Sequence, residues 1–86
     1  MIVRLVAPVD RLVAPGTDLL LYEHRLVQLG PLGSAIVDLA ADPVDVAALA
    51  AALEREFGAP DSGNPAEATR AAVDALVADG VLTVLP

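Results

Sequence analysis

Residues 19–39 constrain the possible fold of this chain most, because two short apolar runs there lead without a spacer into an amphipathic helix. Gly30 is an acceptable helix cap, and Pro31 at the first helical position loses no hydrogen bond. A helix is therefore predicted near residues 31–41. The apolar residues at the spacing of its buried stripe are Leu32, Ala35, Ile36, Leu39 and Ala40.

Two strands are predicted before this helix. Residues 18–23 are nearly all apolar, which is typical of a central strand buried on both faces. After a tight connection at Glu23 and His24, residues 25–29 alternate, so that Val27 and Leu29 share one face of a second strand. We expect three antiparallel strands within residues 9–30, with residues 25–29 at an edge of the sheet.

A local repeat lies near the N-terminus, where Arg-Leu-Val-Ala-Pro occupies residues 4–8 and again residues 11–15. Each copy is compatible with a short strand, and its proline confines it to a sheet edge or a strand end. Two such segments could compete for one place in the sheet or exchange between protomers. A chance duplication in a strand followed by a turn is the simpler interpretation.

Two further helices are predicted, near residues 45–57 and 65–79. Asp45 is a good cap for the first, which Gly58 ends, and Asn64 begins a capping box for the second. Residues 59–63 are expected to be a loop, and residues 81–85 a short strand or a packed extension. The expected core residues are Ile36, Leu39, Leu49, Leu53, Phe57 and Leu76.

Three strands followed by three helices predict an α+β fold of the winged helix-turn-helix kind. The 86 residues make one domain, with its core between about residues 9 and 85.

The absence of cysteine fits the cytoplasm. Five arginines, no lysine and twelve acidic residues give a net charge of −7, which opposes binding to phosphate backbones and anionic lipid. No apolar run is long enough to span a membrane or to form a signal peptide.

The chain offers no recognisable catalytic machinery. Its one histidine is expected in a solvated turn, and Ser34 and Ser62 have no base at a recognisable spacing. No set of side chains has the spacing of metal ligands. We therefore expect no enzyme activity, no cofactor and no metal.

Two binding functions can be compared on the residues alone. A winged helix could bind DNA, but the third helix carries Arg70 together with Glu67, Asp74 and Asp79, whereas groove insertion needs cationic and amide side chains. Nucleic-acid binding is accordingly disfavoured. The strand edge at residues 25–29 could instead accept a peptide as an added strand, or it could be an ordinary edge covered by a helix or the chain's own tail.

Several segments, in this order, resemble PqqD-like proteins. They are Leu-Leu-Leu-Tyr at 19–22, Arg-Leu-Val-Gln-Leu at 25–29, Gly-Pro-Leu-Gly-Ser-Ala-Ile-Val-Asp-Leu at 30–39, residues 45–58, and Ala-Ala-Val-Asp-Ala-Leu at 71–76 with Gly-Val-Leu at 80–82. The resemblance covers roughly residues 9–85. It departs from the family at Gly30, where asparagine is usual, and in the somewhat long loop at 59–63.

This resemblance implies a peptide chaperone in the biosynthesis of ribosomally made, post-translationally modified peptides (RiPPs). The family's members are recognition elements that hold the leader of a precursor peptide between the third strand and the third helix. They present it to a maturation enzyme such as a radical-SAM protein, a cyclodehydratase or a leader protease. The residues implied here are Arg25, Leu26, Val27, Gln28, Leu29, Arg70, Val73, Asp74 and Val77. The alternatives are a self-associating adaptor, which would be a homodimer, and a winged-helix DNA-binding regulator.

Overall fold

The computed structural model describes residues 1–58 and 63–86. The strands in these ranges form two antiparallel three-stranded sheets, and the protein is α+β as predicted. The elements in chain order are β1 (Ile2–Leu5), β2 (Asp10–Ala14), β3 (Thr17–Tyr22), β4 (Arg25–Leu29), α1 (Pro31–Leu39), β5 (Val44–Asp45), α2 (Val46–Phe57), α3 (Pro65–Ala78) and β6 (Leu82–Leu85).

The first sheet, ordered β2-β3-β4, confirms the three strands expected within residues 9–30. Gly16 has a φ of +72° in the turn between β2 and β3, a conformation that suits glycine. The turn between β3 and β4 holds His24, whose side chain is 89% exposed, as expected for a solvated turn residue. β3 is central, as predicted, but it is not buried on both faces. Leu20 is fully buried towards the helices, while Leu21 on the opposite face is 43% exposed.

The second sheet, ordered β5-β1-β6, corrects the predicted order of three strands followed by three helices. The first copy of the repeat contributes to β1 and the second to β2, so the two copies lie in different sheets of this chain. β1 pairs on one side with β6, the predicted C-terminal strand, and on the other with β5, which lies between α1 and α2. This pairing brings the two ends of the chain together.

The three helices agree closely with their predicted ranges, because their end signals are local. The Asp45 carboxylate accepts a hydrogen bond from the Ala47 N–H at 2.9 Å at the start of α2. The Asn64 side chain does the same for the Glu67 N–H at 2.8 Å at the start of α3. Gly58 follows α2 with a φ of +80°, as a glycine stop should. The predicted loop at 59–63 lies outside the described residues except for its last one.

One core lies between the helices and the inner faces of the two sheets. Four of the six predicted core residues belong to it, namely Ile36, Leu49, Leu53 and Leu76. Leu39 and Phe57 were predicted wrongly and are 39% and 47% exposed. Each is the last residue of its helix. At the helix end, the neighbouring elements no longer cover the side chain.

Among the described residues, the helices are all too short or too polar to cross a membrane.

Candidate functional site

β4 is an edge strand of its sheet, and only β3 pairs with it among the described residues. The Leu21 carbonyl accepts a hydrogen bond at 2.7 Å from the residue just before β2. Because backbone groups alternate in direction along a strand, those of Leu20 point towards β4. Leu20 lies opposite Val27, so the N–H and C=O groups of Leu26 and Gln28 face away from β3. These four backbone groups form an open hydrogen-bonding edge.

The side chains of β4 differ in exposure along the strand. Arg25, Leu26 and Gln28 are exposed and Val27 is half-buried. Leu29 is only 4% exposed and belongs to the core. Of the five residues predicted on this strand, Leu29 therefore anchors the strand to the core, and the other four are accessible from solvent.

The predicted surface of α3 is corrected at one position. Arg70 and Asp74 are exposed, and the Arg70 Nε donates to an Asp74 carboxylate oxygen at 3.2 Å. Val77 is half-buried at the margin of the core. Val73 was expected to face outward but is fully buried, because it lies one turn from Thr69 on the helix face that packs inward. Val73 therefore packs α3 onto the core and is not available to a peptide on the surface.

One end of β4 meets the end of α3. Gly80 follows α3 with a φ of +75°, and a Cβ at this position would collide with the guanidinium group of Arg25. A cation is favourable beside the C-terminal end of a helix. The Arg25 guanidinium carbon also lies 5.6 Å from the centre of the Tyr22 ring, within the range of a cation–π interaction. Arg25 thus connects the open strand to the helix beside it.

Tyr22 itself is held in place below Arg25. Its hydroxyl donates to the Val6 carbonyl at 2.9 Å. Burial raises the pKa of Tyr22, while the positive charge of Arg25 acts in the opposite direction. Tyr22 therefore remains a neutral, fixed ring on which the Arg25 side chain rests.

A buried ion pair that was not predicted from the sequence lies on the inner face of the same sheet, between β2, β3 and α1. Asp18 on β3 is 2% exposed and accepts hydrogen bonds from the Arg11 guanidinium, at 2.5 Å, and from the Ser34 hydroxyl on α1. Arg11 also donates to Asp38 at 2.8 Å. The available signal was strand parity, since Asp18 shares a face with Leu20 two residues later. This network joins β2, β3 and α1.

The network predicts a pH dependence of stability. The hydrogen bond from Arg11, and then that from Ser34, lower the pKa of Asp18 below its ordinary value of 3.8, more than burial raises it. The stabilisation is therefore complete above this ordinary value and is lost as the pH falls through the lower folded-state pKa. We expect Asp18→Asn to unfold at a lower urea concentration than the wild type at pH 7, with a smaller difference at pH 2.5.

The matched control is Asp38→Asn, since the Asp38 side chain is 64% exposed and also bonds Arg11. It should shift the urea midpoint less, because exposed ion pairs contribute little. A difference between Asp18→Asn and the wild type that is equal at both pH values would contradict the assignment.

A metal ion would need a group of ligating side chains among the described residues. Within residues 1–58 and 63–86, no three His, Cys, Asp or Glu side chains are grouped so as to hold a metal ion. The Ser34 hydroxyl donates to a carboxylate in the ion-pair network. An exposed strand edge, by contrast, is a recognised template for pairing with another chain.

Comparison with known proteins addresses the family of the chain. A sequence model of the family described as coenzyme PQQ synthesis protein D (PqqD) matches residues 19–82, from β3 to the start of β6. The search of curated proteins and that of solved structures give no match. The family match includes β4 and α3, the two elements of the candidate site, and covers well over half of the sequence. The chain therefore belongs to the PqqD family.

Proposed function

We propose that this protein binds the leader segment of a ribosomally synthesised precursor peptide as an added strand along β4, and presents it to a peptide-modifying enzyme. The PqqD family comprises non-catalytic accessory proteins of RiPP biosynthesis. An accessory protein of this kind needs a surface for the peptide. The open backbone edge of β4 is the single observation that carries the proposal.

The sheet has a second open edge, β2, and two features favour β4 over it. Arg11 on β2 is engaged by two carboxylates, whereas Arg25 on β4 has no carboxylate within ion-pairing distance among the described residues. Val27 on β4 and Val77 on α3 are both half-buried against the same core, and we propose that they offer apolar surface to a peptide along β4.

The roles of the side chains follow from this geometry. Backbone pairing to Leu26 and Gln28 supplies affinity that is independent of peptide sequence. Selectivity then comes from apolar peptide side chains against Val27 and Val77, and from a peptide carboxylate near Arg25 that sets the register. Charges at a rim influence specificity and association rate more than affinity.

The exposed Arg70 and Asp74 are proposed to act at that rim, and Val73 acts only by supporting α3. The proposal retains the winged helix-turn-helix interpretation of the fold, in which α1 packs on β3 and β4. The partners proposed are the leader peptide and a maturation enzyme such as a radical-SAM protein, a cyclodehydratase or a leader protease. The cytoplasm is the proposed location, and neither nucleic acid nor membrane is a proposed partner.

The experiment is a fluorescence-anisotropy titration with the labelled leader of a precursor peptide identified among the neighbouring reading frames. We expect a Kd in the micromolar range or below, equivalent to about −8 kcal/mol. Val77→Ala should weaken binding by about fivefold, since it removes roughly 1 kcal/mol of apolar contact. The exposed Val84 on β6 provides the matched control, and Val84→Ala should leave the Kd unchanged.

Two outcomes would overturn the proposal. One is the absence of saturable binding to the leader. The other is equal affinity for the leader and for the remainder of the precursor without it.

A further inference from the structure

The outer face of the β2-β3-β4 sheet carries four leucines, three of them exposed and the fourth, Leu19, half-buried. Strand register places Leu12 opposite Leu19 and Leu21 opposite both Asp10 and Leu26, all on the face away from the core. Leu12 and Leu26 are 63% and 60% exposed, and Leu21 is 43% exposed. We call Leu12, Leu19, Leu21 and Leu26 the leucine face.

Resting on the proposed function, we propose that the leucine face docks the peptide-modifying enzyme, through an apolar patch on that enzyme flanked by arginine or lysine. Contiguous exposed apolar surface on a small protein commonly marks an interaction site. Apart from Leu26, the leucine face lies away from the strand edge along which the leader is proposed to pair.

Charge indicates the chemistry of the partner. Asp10 is the one charged residue on the outer face of these three strands, beside Leu21. The whole chain has a net charge of −7. A basic flank on the enzyme would complement both charges, whereas a second copy of this chain would bring two strongly acidic molecules together.

Area also argues against a second copy as the occupant. A stable interface usually buries about 800 Å² on each partner, from roughly 20–30 residues. The outer face of three strands of five or six residues presents about half of their side chains. This surface is small for a stable dimer and suits a transient complex of a carrier with its enzyme.

The leucine face is continuous with β4, the strand at which the leader is proposed to bind. Leu26 belongs both to the leucine face and to the strand along which the leader is proposed to pair. A peptide strand added at β4 would place its own alternate side chains beside Leu26 on the outer face. An enzyme seated on the leucine face would therefore contact the bound leader directly and receive the peptide at a fixed position.

The test uses the double variant Leu12→Ser/Leu21→Ser, which leaves β4 unchanged, with Val84→Ser as the control for an exposed valine on the other sheet. Each protein is titrated against an immobilised peptide-modifying enzyme identified among the neighbouring reading frames, with and without the leader peptide. We expect the double variant to lose about tenfold or more in affinity for the enzyme, while its affinity for the leader changes by less than about twofold and Val84→Ser behaves as the wild type.

Each other outcome overturns the inference. Unchanged enzyme affinity in the double variant, or no enzyme binding by the wild type, would show that the leucine face is not the docking surface. A wild-type dimer in sedimentation that the double variant dissociates would assign the face to a second copy. Normal leader binding in these cases would leave the proposed function standing, whereas loss of leader binding by the wild type would remove the proposed function itself.

Discussion

Leu53→Ala is expected to lower the free energy of unfolding by about 2–5 kcal/mol, a large share of the stability of a domain of this size. Leu53 is 4% exposed and lies on the face of α2 that packs into the core. Truncation removes apolar contacts and leaves a cavity that the neighbouring side chains fill only in part. Urea unfolding followed by circular dichroism at pH 7 measures the loss.

Phe57→Ala is the matched control on the same helix. Phe57 is a larger side chain, but it is 47% exposed at the end of α2. Its truncation should therefore destabilise the protein much less, by about 1 kcal/mol or less. If the two variants lost equal stability, the orientation of α2 described above would be wrong.

Gln28→Pro is expected to weaken leader binding by about tenfold or more, because it removes one N–H from the open edge of β4 and its ring obstructs the approach of a strand. The fold should tolerate the change, since proline is accepted on edge strands where the N–H faces solvent. Affinity is measured by the same anisotropy titration, and thermal unfolding confirms that the variant is folded.

Val13→Pro is the control on the opposite edge of the same sheet. Val13 lies opposite Asp18, and its backbone groups point away from β3 by the same alternation. A proline there alters β2 as Gln28→Pro alters β4, yet it should leave leader affinity unchanged. Gln28→Ala should also bind normally, since it keeps the backbone N–H. Equal weakening by both prolines would indicate a general effect on the sheet.

Local signals in the sequence predicted most of the fold. Capping residues such as Asp45 and Asn64, together with the glycine stops, determine helix ends through hydrogen bonds within a few residues. The alternation of residues 25–29 predicted that Val27 and Leu29 share one face of β4, and in the structure that face is turned towards the core. Caps and strand alternation depend on residues that are close together in the chain, so they can be read from one sequence.

The errors involve contacts between distant segments. The pairing of β1 with β5 and β6 joins residues about 40 and 80 positions apart, and no local period encodes such a pairing. Helical spacing groups Arg70, Val73 and Val77 on neighbouring positions, but it does not say which of them the rest of the fold covers. The open strand edge at β4 could therefore be predicted from the sequence. The exposed side chains of α3 could be predicted only in part.

The addition of a peptide strand to β4 can be followed at single residues by amide hydrogen exchange measured by NMR. In the free protein, the amides of Leu26 and Gln28 should exchange fast, and that of Val27, directed towards β3, should be protected. Addition of the leader should slow exchange at Leu26 and Gln28 by about tenfold or more, since both N–H groups acquire acceptors. If saturating leader leaves exchange at these two amides unchanged and protects residues of α2 instead, strand addition at β4 is wrong.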